Sequence, residues 1–291
     1  MAHSHRRIDG RETMATMIRA GDGAANDQAR PAGEMAAERQ QLREEGWCVL
    51  PDVIDAETTR RALDRLYAAA EASEARGIST FMPVLDPNDS NVRVFYLLEH
   101  DAVFRDLICH PLALEIVEAV LGRGFMISNF TANIARPGAR SMALHSDQSI
   151  VVPAPWHDAW AINIIWCLSD VRFENGATLF IPGSHRWQTH DDVPGDAKDR
   201  LRPFEAKAGS IVAMDGRLWH TSGANVTADE ERALLFGYYS KAFLRPQVNW
   251  NAALSSETQR AVSPELFQLL GLGVTANTGE ARHISRSEAA A

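Results

Sequence analysis

The sequence predicts a mainly β protein of the α+β class, with a jelly-roll (double-stranded β-helix) core and helices packed outside it. Segments with helical periodicity come first, and from Phe125 onward short apolar runs alternate with Gly, Pro, Asp and Asn. A triplet, His145-Ser146-Asp147, is followed much later by His220. This spacing suits side chains that neighbouring strands bring together.

The helices and the first strand are placed by caps and periodicity. A short helix is predicted near Glu34–Glu45, followed by a strand at Gly46–Leu50. Asp55 is the N-cap of a helix that extends to about Ala75. Pro111 in a first turn and Gly122 at the end bracket another helix, so the segment 111–122 is the last helix before the strands.

Apolar runs of strand length follow, and they define the extent of the folded part. The predicted strands are Phe125–Ile134, Ala161–Leu168, Ala177–Ile181, Ile211–Met214 and Ala233–Tyr239. Residues 1–33 lack a sustained apolar period and are expected to form a mobile leader. A single domain over 34–275 and a mobile tail over 276–291 complete the predicted organisation.

Composition excludes several classes of partner. The formal net charge of −9 disfavours nucleic acid and anionic membranes, and a small molecule is the expected partner, with a homodimer left open. The three cysteines are unclustered, which indicates reduced thiols rather than a disulfide framework. The chain lacks an apolar run of about 18 residues and a secretory h-region, so a cytoplasmic protein is predicted.

Two histidines and one aspartate make up the candidate metal site. On a strand, the i, i+2 spacing of His145 and Asp147 directs both side chains to one face. With His220 they form a 2-His-1-carboxylate set, which leaves positions open on a non-heme Fe(II). The alternatives are a surface pair in a loop for the triplet and a core histidine for His220.

An arginine close to the end of the strand-rich region is the candidate anion-binding residue. Arg232 would share one strand face with Leu234, Phe236 and Tyr238 and would therefore point inward. A guanidinium fork pairs with a carboxylate through two parallel bonds, and a buried unpaired charge is costly. An anionic partner is expected, unless Arg232 is a solvated strand residue.

Several short motifs follow one another along the second half of the chain and its first strand. They are Gly46–Asp55, Arg136–Gly138, Leu144–Gln148, Glu174–Thr178, Ile181–His185, Ala208–Ser210, Leu218–Asn225 and Glu231-Arg232. In this order they resemble the phytanoyl-CoA dioxygenase (PhyH) family of Fe(II)/2-oxoglutarate-dependent oxygenases, and the resemblance covers about Gly46 to Gly273. Within this range, Phe243–Gln247 looks most like enzymes that oxidise secondary metabolites.

The resemblance implies a cofactor set and a reaction. Iron(II) would be held by His145, Asp147 and His220, with 2-oxoglutarate and O2 as cosubstrates and succinate and CO2 as products. Arg232 would bind the distal carboxylate of 2-oxoglutarate, whereas His185 would be structural. The expected outcome is hydroxylation of an unactivated C–H bond, with desaturation, epoxidation and ring formation left open. Further 2-oxoglutarate contacts are expected from Ser222, Thr178, Trp166 and Asn133.

The substrate is predicted to be a small, largely apolar metabolite. The prediction rests on apolar residues expected near the mouth of the substrate cavity. The alternative is that these residues fill the hydrophobic core. A cupin-type metal-dependent hydrolase or isomerase and a non-catalytic ligand-binding jelly roll are the alternative functions. The lining residues proposed from the sequence are Phe81, Met82, Val151, Trp156, and Tyr238 or Tyr239.

Overall fold

The computed structural model of the chain describes residues 35–273. Contacts between Cα atoms divide the chain into Met1–Met35 and Ala36–Ala291, and the helices and strands of the described residues all belong to the second unit. The expected mobile leader at 1–33 and mobile tail at 276–291 lie outside the described residues. A single domain over 34–275 stays a prediction.

Helices begin and end where capping residues require it. The Asp55 carboxylate accepts a bond from Thr58 N at 2.7 Å and starts the second helix. Pro111 opens the fifth helix, and Gly122 follows its end with φ +73°, a conformation that favours glycine. The helices are α1 (Ala36–Glu45), α2 (Ala56–Ala75), α3 (Leu97–His100), α4 (Ala102–Ile108), α5 (Pro111–Leu121), α6 (Asp147–Val151), α7 (Trp250–Ala253), α8 (Ser256–Ala261) and α9 (Pro264–Leu269).

Nine strands in the described part of the chain form two antiparallel sheets. The larger has the order β1-β7-β4-β9-β3-β2 and the smaller has the order β6-β5-β8. The strands are β1 (Trp47–Leu50), β2 (Asn91–Val94), β3 (Phe125–Ala135), β4 (Ala161–Cys167), β5 (Leu179–Phe180), β6 (Arg202–Pro203), β7 (Ile211–Asp215), β8 (His220–Thr221) and β9 (Arg232–Lys241).

The two faces of the larger sheet have different neighbours. One face packs against the smaller sheet in an apolar cluster that includes Ile165, Val212 and Phe180. The other face packs against helices: Tyr239 Oη donates to Ile108 O at 2.6 Å, and Trp250 Nε1 donates to Ile127 O at 2.8 Å. Side chains alternate along each strand, so every strand of the larger sheet supplies both layers.

The predicted α+β class with a large antiparallel sheet is confirmed, and its principal strands lie where the sequence places them. The predicted strand Ala177–Ile181 shortens to Leu179–Phe180, because Ala177 N bonds to Arg172 O in a turn instead of a ladder. The short strands β2, β6 and β8 and the helices α3, α4, α6, α7, α8 and α9 have no counterpart among the predicted elements. Between residues 35 and 273, none of the helices has the length and apolar character needed to cross a membrane.

Candidate metal centre

Two histidines from distant parts of the chain are held side by side by the backbone. His145 N donates to His220 O at 3.0 Å, and His220 N donates to His145 O at 2.8 Å. This reciprocal pair is an isolated antiparallel bridge at the start of β8. The imidazole centroids consequently lie 4.4 Å apart.

Backbone carbonyls fix the tautomer of both imidazoles. His145 Nδ1 donates to Ala143 O at 2.8 Å, and His220 Nδ1 donates to Leu218 O at 2.9 Å. A carbonyl only accepts, so each ring carries its proton on Nδ1 and keeps a lone pair on Nε2. Burial and the neighbouring His145 lower the pKa of His220 to about 4, which keeps this ring neutral and able to bind a metal at neutral pH.

Asp147 completes the cluster from the first turn of a helix, which corrects the prediction of a continuous strand. Ser146 is extended and caps α6 by accepting from Ser149 N, so Asp147 is already the first helical residue. Asp147 Oδ1 still lies 3.7 Å from the Nε2 atoms of both His145 and His220. All three potential ligand atoms fall within 4.8 Å of one another.

A cavity of about 330 Å³ adjoins this cluster, and its wall includes one buried guanidinium group. Arg232, at 1% exposure, lines it with His145, Asp147 and His220. Its guanidinium donates to Gly176 O, to Asn133 O and to Asn133 Oδ1 at 3.0–3.2 Å. Burial lowers the pKa of Arg232 only to about 10, so the charge persists at neutral pH. Within residues 35–273, Arg232 has no carboxylate partner.

Comparison with known proteins decides the family. The profile of the phytanoyl-CoA dioxygenase (PhyH) family matches residues 42–233. The chain is also 59% identical over 231 residues to "Dioxygenase af480" of Aspergillus fumigatus, covering 79% of this chain and 75% of that protein. The chain belongs to the phytanoyl-CoA dioxygenase family. Membership of this dioxygenase family makes it an oxidoreductase.

More distant matches include another dioxygenase and a solved structure with a similar fold. "Multifunctional dioxygenase ausE" of Emericella nidulans is 24% identical over 263 residues, covering 83% of this chain and 84% of that one. The fold resembles the crystal structure of the epimerase SnoN from nogalamycin biosynthesis, which contains Fe3+, alpha ketoglutarate and nogalamycin RO. That match has a TM-score of 0.57 and 20% identity, and it covers 74% of this chain and 87% of SnoN.

The structure brings most of the predicted cosubstrate residues of this PhyH-family chain to the cavity, but not Trp166. Ser222, Thr178 and Asn133 line the wall near Arg232, and Ser222 Oγ accepts from Met142 N at 3.0 Å. Trp166 lies on the opposite face of β4, fully buried, with its ring 5.5 Å from that of His110. Because β4 is buried on both faces, its apolar sequence does not show which residues point inward.

Of the predicted substrate-lining residues, one lies on the cavity wall and the others lie elsewhere. Tyr238 lines the cavity, whereas Tyr239 points to the helix layer. Trp156 packs with Trp219 and donates from Nε1 to Val152 O at 2.6 Å, away from the cavity. Phe81, Met82 and Val151 are also absent from the wall, because turns in both segments present their neighbours instead. Leu85 and Ile150 are those neighbours, and Phe95, just after β2, also lines the wall.

Sequence reasoning missed two asparagines on the cavity wall, Asn163 and Asn129. Asn163 Nδ2 donates to Asp147 Oδ2 at 3.0 Å, which holds the carboxylate with Oδ1 towards the imidazoles. A signal existed, because Asn163 is the sole polar residue in the strand Ala161–Cys167. His185 lies away from the cluster, as expected for a structural residue: its Nε2 bonds to Arg43 O at 3.2 Å.

Proposed function

We propose that this protein is a non-heme Fe(II)- and 2-oxoglutarate-dependent dioxygenase that oxidises an unactivated C–H bond of a small, largely apolar metabolite, with hydroxylation as the expected outcome. Succinate and CO2 would be the other products. One observation carries the proposal: the cluster of His145, Asp147 and His220 shares a cavity with Arg232, which is buried and has no carboxylate partner among residues 35–273. A metal ion and a dicarboxylate would satisfy both features together.

The residues present fit an iron ion. Two neutral imidazoles and one carboxylate are the donor set of a 2-His-1-carboxylate centre, which leaves coordination positions open. His145 and His220 offer Nε2 lone pairs because their Nδ1 protons are held by carbonyls, and Asn163 keeps Asp147 Oδ1 free. When bound, iron would activate O2 as the oxidant for cleavage of a C–H bond, and 2-oxoglutarate would supply two of the four electrons that reduce O2.

The residues around Arg232 fit the distal carboxylate of 2-oxoglutarate. Asn133 Oδ1 orients the guanidinium, and the hydroxyls of Ser222 and Thr178 line the same wall. A buried guanidinium that meets only neutral oxygens gains from a carboxylate through charge-assisted bonds. Apolar residues on the remaining wall would exclude water and hold the substrate near the metal. They include Leu85, Phe95, Ile150 and Phe236.

The test is cosubstrate binding by Arg232 variants under anaerobic conditions. The Fe(II)-loaded protein should develop the charge-transfer absorption of a 2-oxoglutarate chelate, and its titration gives the affinity. Loss of one partner of a buried charge pair costs roughly 3–5 kcal/mol. Since about 1.4 kcal/mol is tenfold, Arg232→Ala should weaken 2-oxoglutarate by two or more decades, and Arg232→Lys by less.

The matched control is Arg200→Ala, because Arg200 is exposed and pairs with Asp196 on the surface. It should leave the affinity unchanged. Succinate formed from 2-oxoglutarate in air, with and without Fe(II), separates an oxygenase from a hydrolase or a non-catalytic jelly roll. Unchanged 2-oxoglutarate affinity in Arg232→Ala would remove the main support for this cosubstrate.

A further inference from the structure

Three polar side chains form a continuous row across the cavity wall. Asn129 on β3, Tyr238 on β9 and Asn163 on β4 all line the cavity. Asn129 is the register partner of Tyr238, and Tyr238 is also the register partner of Asn163. Directly opposed residues on antiparallel strands have Cβ atoms about 4.5–5.5 Å apart. We call Asn129, Tyr238 and Asn163 the polar row.

A β-bulge positions the first member of the row. The register between β3 and β9 shifts between Ile127 and Asn129. Ser128, at the shift, accepts from Gln247 N through Oγ at 3.0 Å and from Val248 N through its carbonyl at 3.0 Å. The bulge therefore anchors the segment that carries Gln247, whose Oε1 accepts from Asn129 Nδ2 at 3.0 Å. Bulges near sites re-aim side chains in this way.

Each member of the polar row has a buried polar atom without a hydrogen-bond partner in the described structure. These atoms are Asn129 Oδ1, Asn163 Oδ1 and Tyr238 Oη, and Tyr238 is only 5% exposed. The orientation of Asn163 is fixed, because its Nδ2 donates to the Asp147 carboxylate, which can only accept. An unsatisfied buried polar group costs about 1–3 kcal/mol, so three in one row indicate a ligand contact.

The chemistry of the row specifies the ligand group. The two amide oxygens accept and need a donor, whereas the Tyr238 hydroxyl can donate to an oxygen. A hydroxyl has one proton to donate to one of the amide oxygens and lone pairs that accept from Tyr238, whereas a carbonyl can only accept. The row is neutral, and the nearby Arg93 is already paired with Asp86 at 2.7 Å. A charged ligand group would therefore gain little here.

We propose that the polar row anchors a hydroxyl group of an otherwise apolar substrate and so orients its skeleton beside Asp147. This inference rests on the proposed function, because it specifies the substrate of the same site. The remaining wall is apolar over most of its surface, which matches a compact hydrocarbon skeleton. A cavity of about 330 Å³ suits such a molecule.

The test uses three probes with one bicyclic skeleton: borneol with a hydroxyl, camphor with a carbonyl, and bornane with neither. Dissociation constants are measured by ligand-observed NMR on the metal-free, full-length protein, so the result does not depend on turnover. A hydrogen bond contributes about 1 kcal/mol net. With two bonds, borneol should bind wild type about tenfold or more tightly than bornane, with camphor between them.

Tyr238→Phe removes only the hydroxyl and should reduce borneol affinity about fivefold while leaving bornane unchanged. Asn129→Leu should also reduce the preference for borneol over bornane. The matched control is Tyr239→Phe, which loses a hydroxyl on the other face of the same strand and should change neither affinity.

Three results would overturn the proposal: no measurable binding of borneol, equal binding of borneol and bornane, or an unchanged borneol preference in Tyr238→Phe. Camphor binding as tightly as borneol would overturn the role of the amide oxygens. Binding of 2-oxoglutarate to the Fe(II) form is measured separately. Its failure, with the borneol preference intact, would contradict the proposed function and leave the polar row as a hydroxyl-binding subsite.

Discussion

The two oxygens of the Asp147 carboxylate have different partners. One faces the imidazoles and the other accepts from an asparagine, and this arrangement determines which oxygen is available to a metal. Oδ1 lies 3.7 Å from both Nε2 atoms, whereas Oδ2 accepts from Asn163 Nδ2 at 3.0 Å. A carboxylate that is held on one oxygen presents the other in a fixed direction. Partners of this kind orient metal ligands and contribute substantially to metal affinity.

Removal of the Asn163 amide should therefore weaken metal binding. Asn163→Leu keeps most of the volume but leaves Asp147 Oδ2 without its donor, and we expect metal affinity to fall about 10–100-fold. Co(II) is a convenient stand-in for Fe(II), and its visible absorption reports both affinity and ligand field. The control is Asn251→Leu on an exposed helix face. An unchanged Co(II) affinity in Asn163→Leu would show that Asp147 needs no orienting partner.

Close contact between two backbone segments holds together the part of the cavity wall that carries Ser222 and Thr178. A Cβ added to Gly223 would lie 2.3 Å from Ala177 O, while Gly223 N donates to that same oxygen at 2.9 Å. Ser222 and Thr178 are the sequence neighbours of these two residues, and both line the cavity. The glycine therefore allows the approach that brings the two hydroxyls to one wall.

Gly223→Ala should separate the two segments. Because the clashing atom is a backbone oxygen, relief requires a main-chain shift, and overpacking of this kind costs about 1–3 kcal/mol. Urea unfolding should show the loss in the free energy of unfolding, with weaker 2-oxoglutarate binding as the local consequence. Gly195→Ala is the matched control, since a Cβ there has no neighbour within 4 Å. Equal stability of both variants would refute the proposed role of this contact.

The sequence predicts these elements unevenly, for physical reasons. The candidate metal ligands His145, Asp147 and His220 could be predicted from the sequence because a metal requires particular donor atoms. The face of β4 could not be read, because both of its sides are buried and its residues are apolar apart from Asn163. Side chains alternate along a strand, so the position of Asn163 on the cavity wall places Trp166 on the opposite face of β4. The bulge at Ser128 left no pattern in the sequence, so Asn129 was not identified.

The reactivity of the three cysteines measures how cooperatively the protein unfolds. Cys167 lies on the central strand β4, Cys48 lies on the edge strand β1, and Cys109 follows α4 and is only partly buried. Burial raises the pKa of each thiol to about 12. The thiolate is the reactive form, so all three should be unreactive in the folded protein at mildly alkaline pH.

Unfolding returns each thiol to an ordinary pKa of about 8.5, which makes reaction a measure of opening. Because the folded protein keeps these thiols protonated, their contribution to the free energy of unfolding is fully present below about pH 8.5 and is lost as pH rises towards 12.

A chromogenic disulfide reagent should modify Cys109 first, Cys48 next by fraying of the edge strand, and Cys167 only on global unfolding. Mass spectrometry of modified peptides assigns each site, and full denaturant should release three equivalents. Modification of Cys167 as fast as Cys109 in native buffer would show that the sheet core opens locally rather than as one unit.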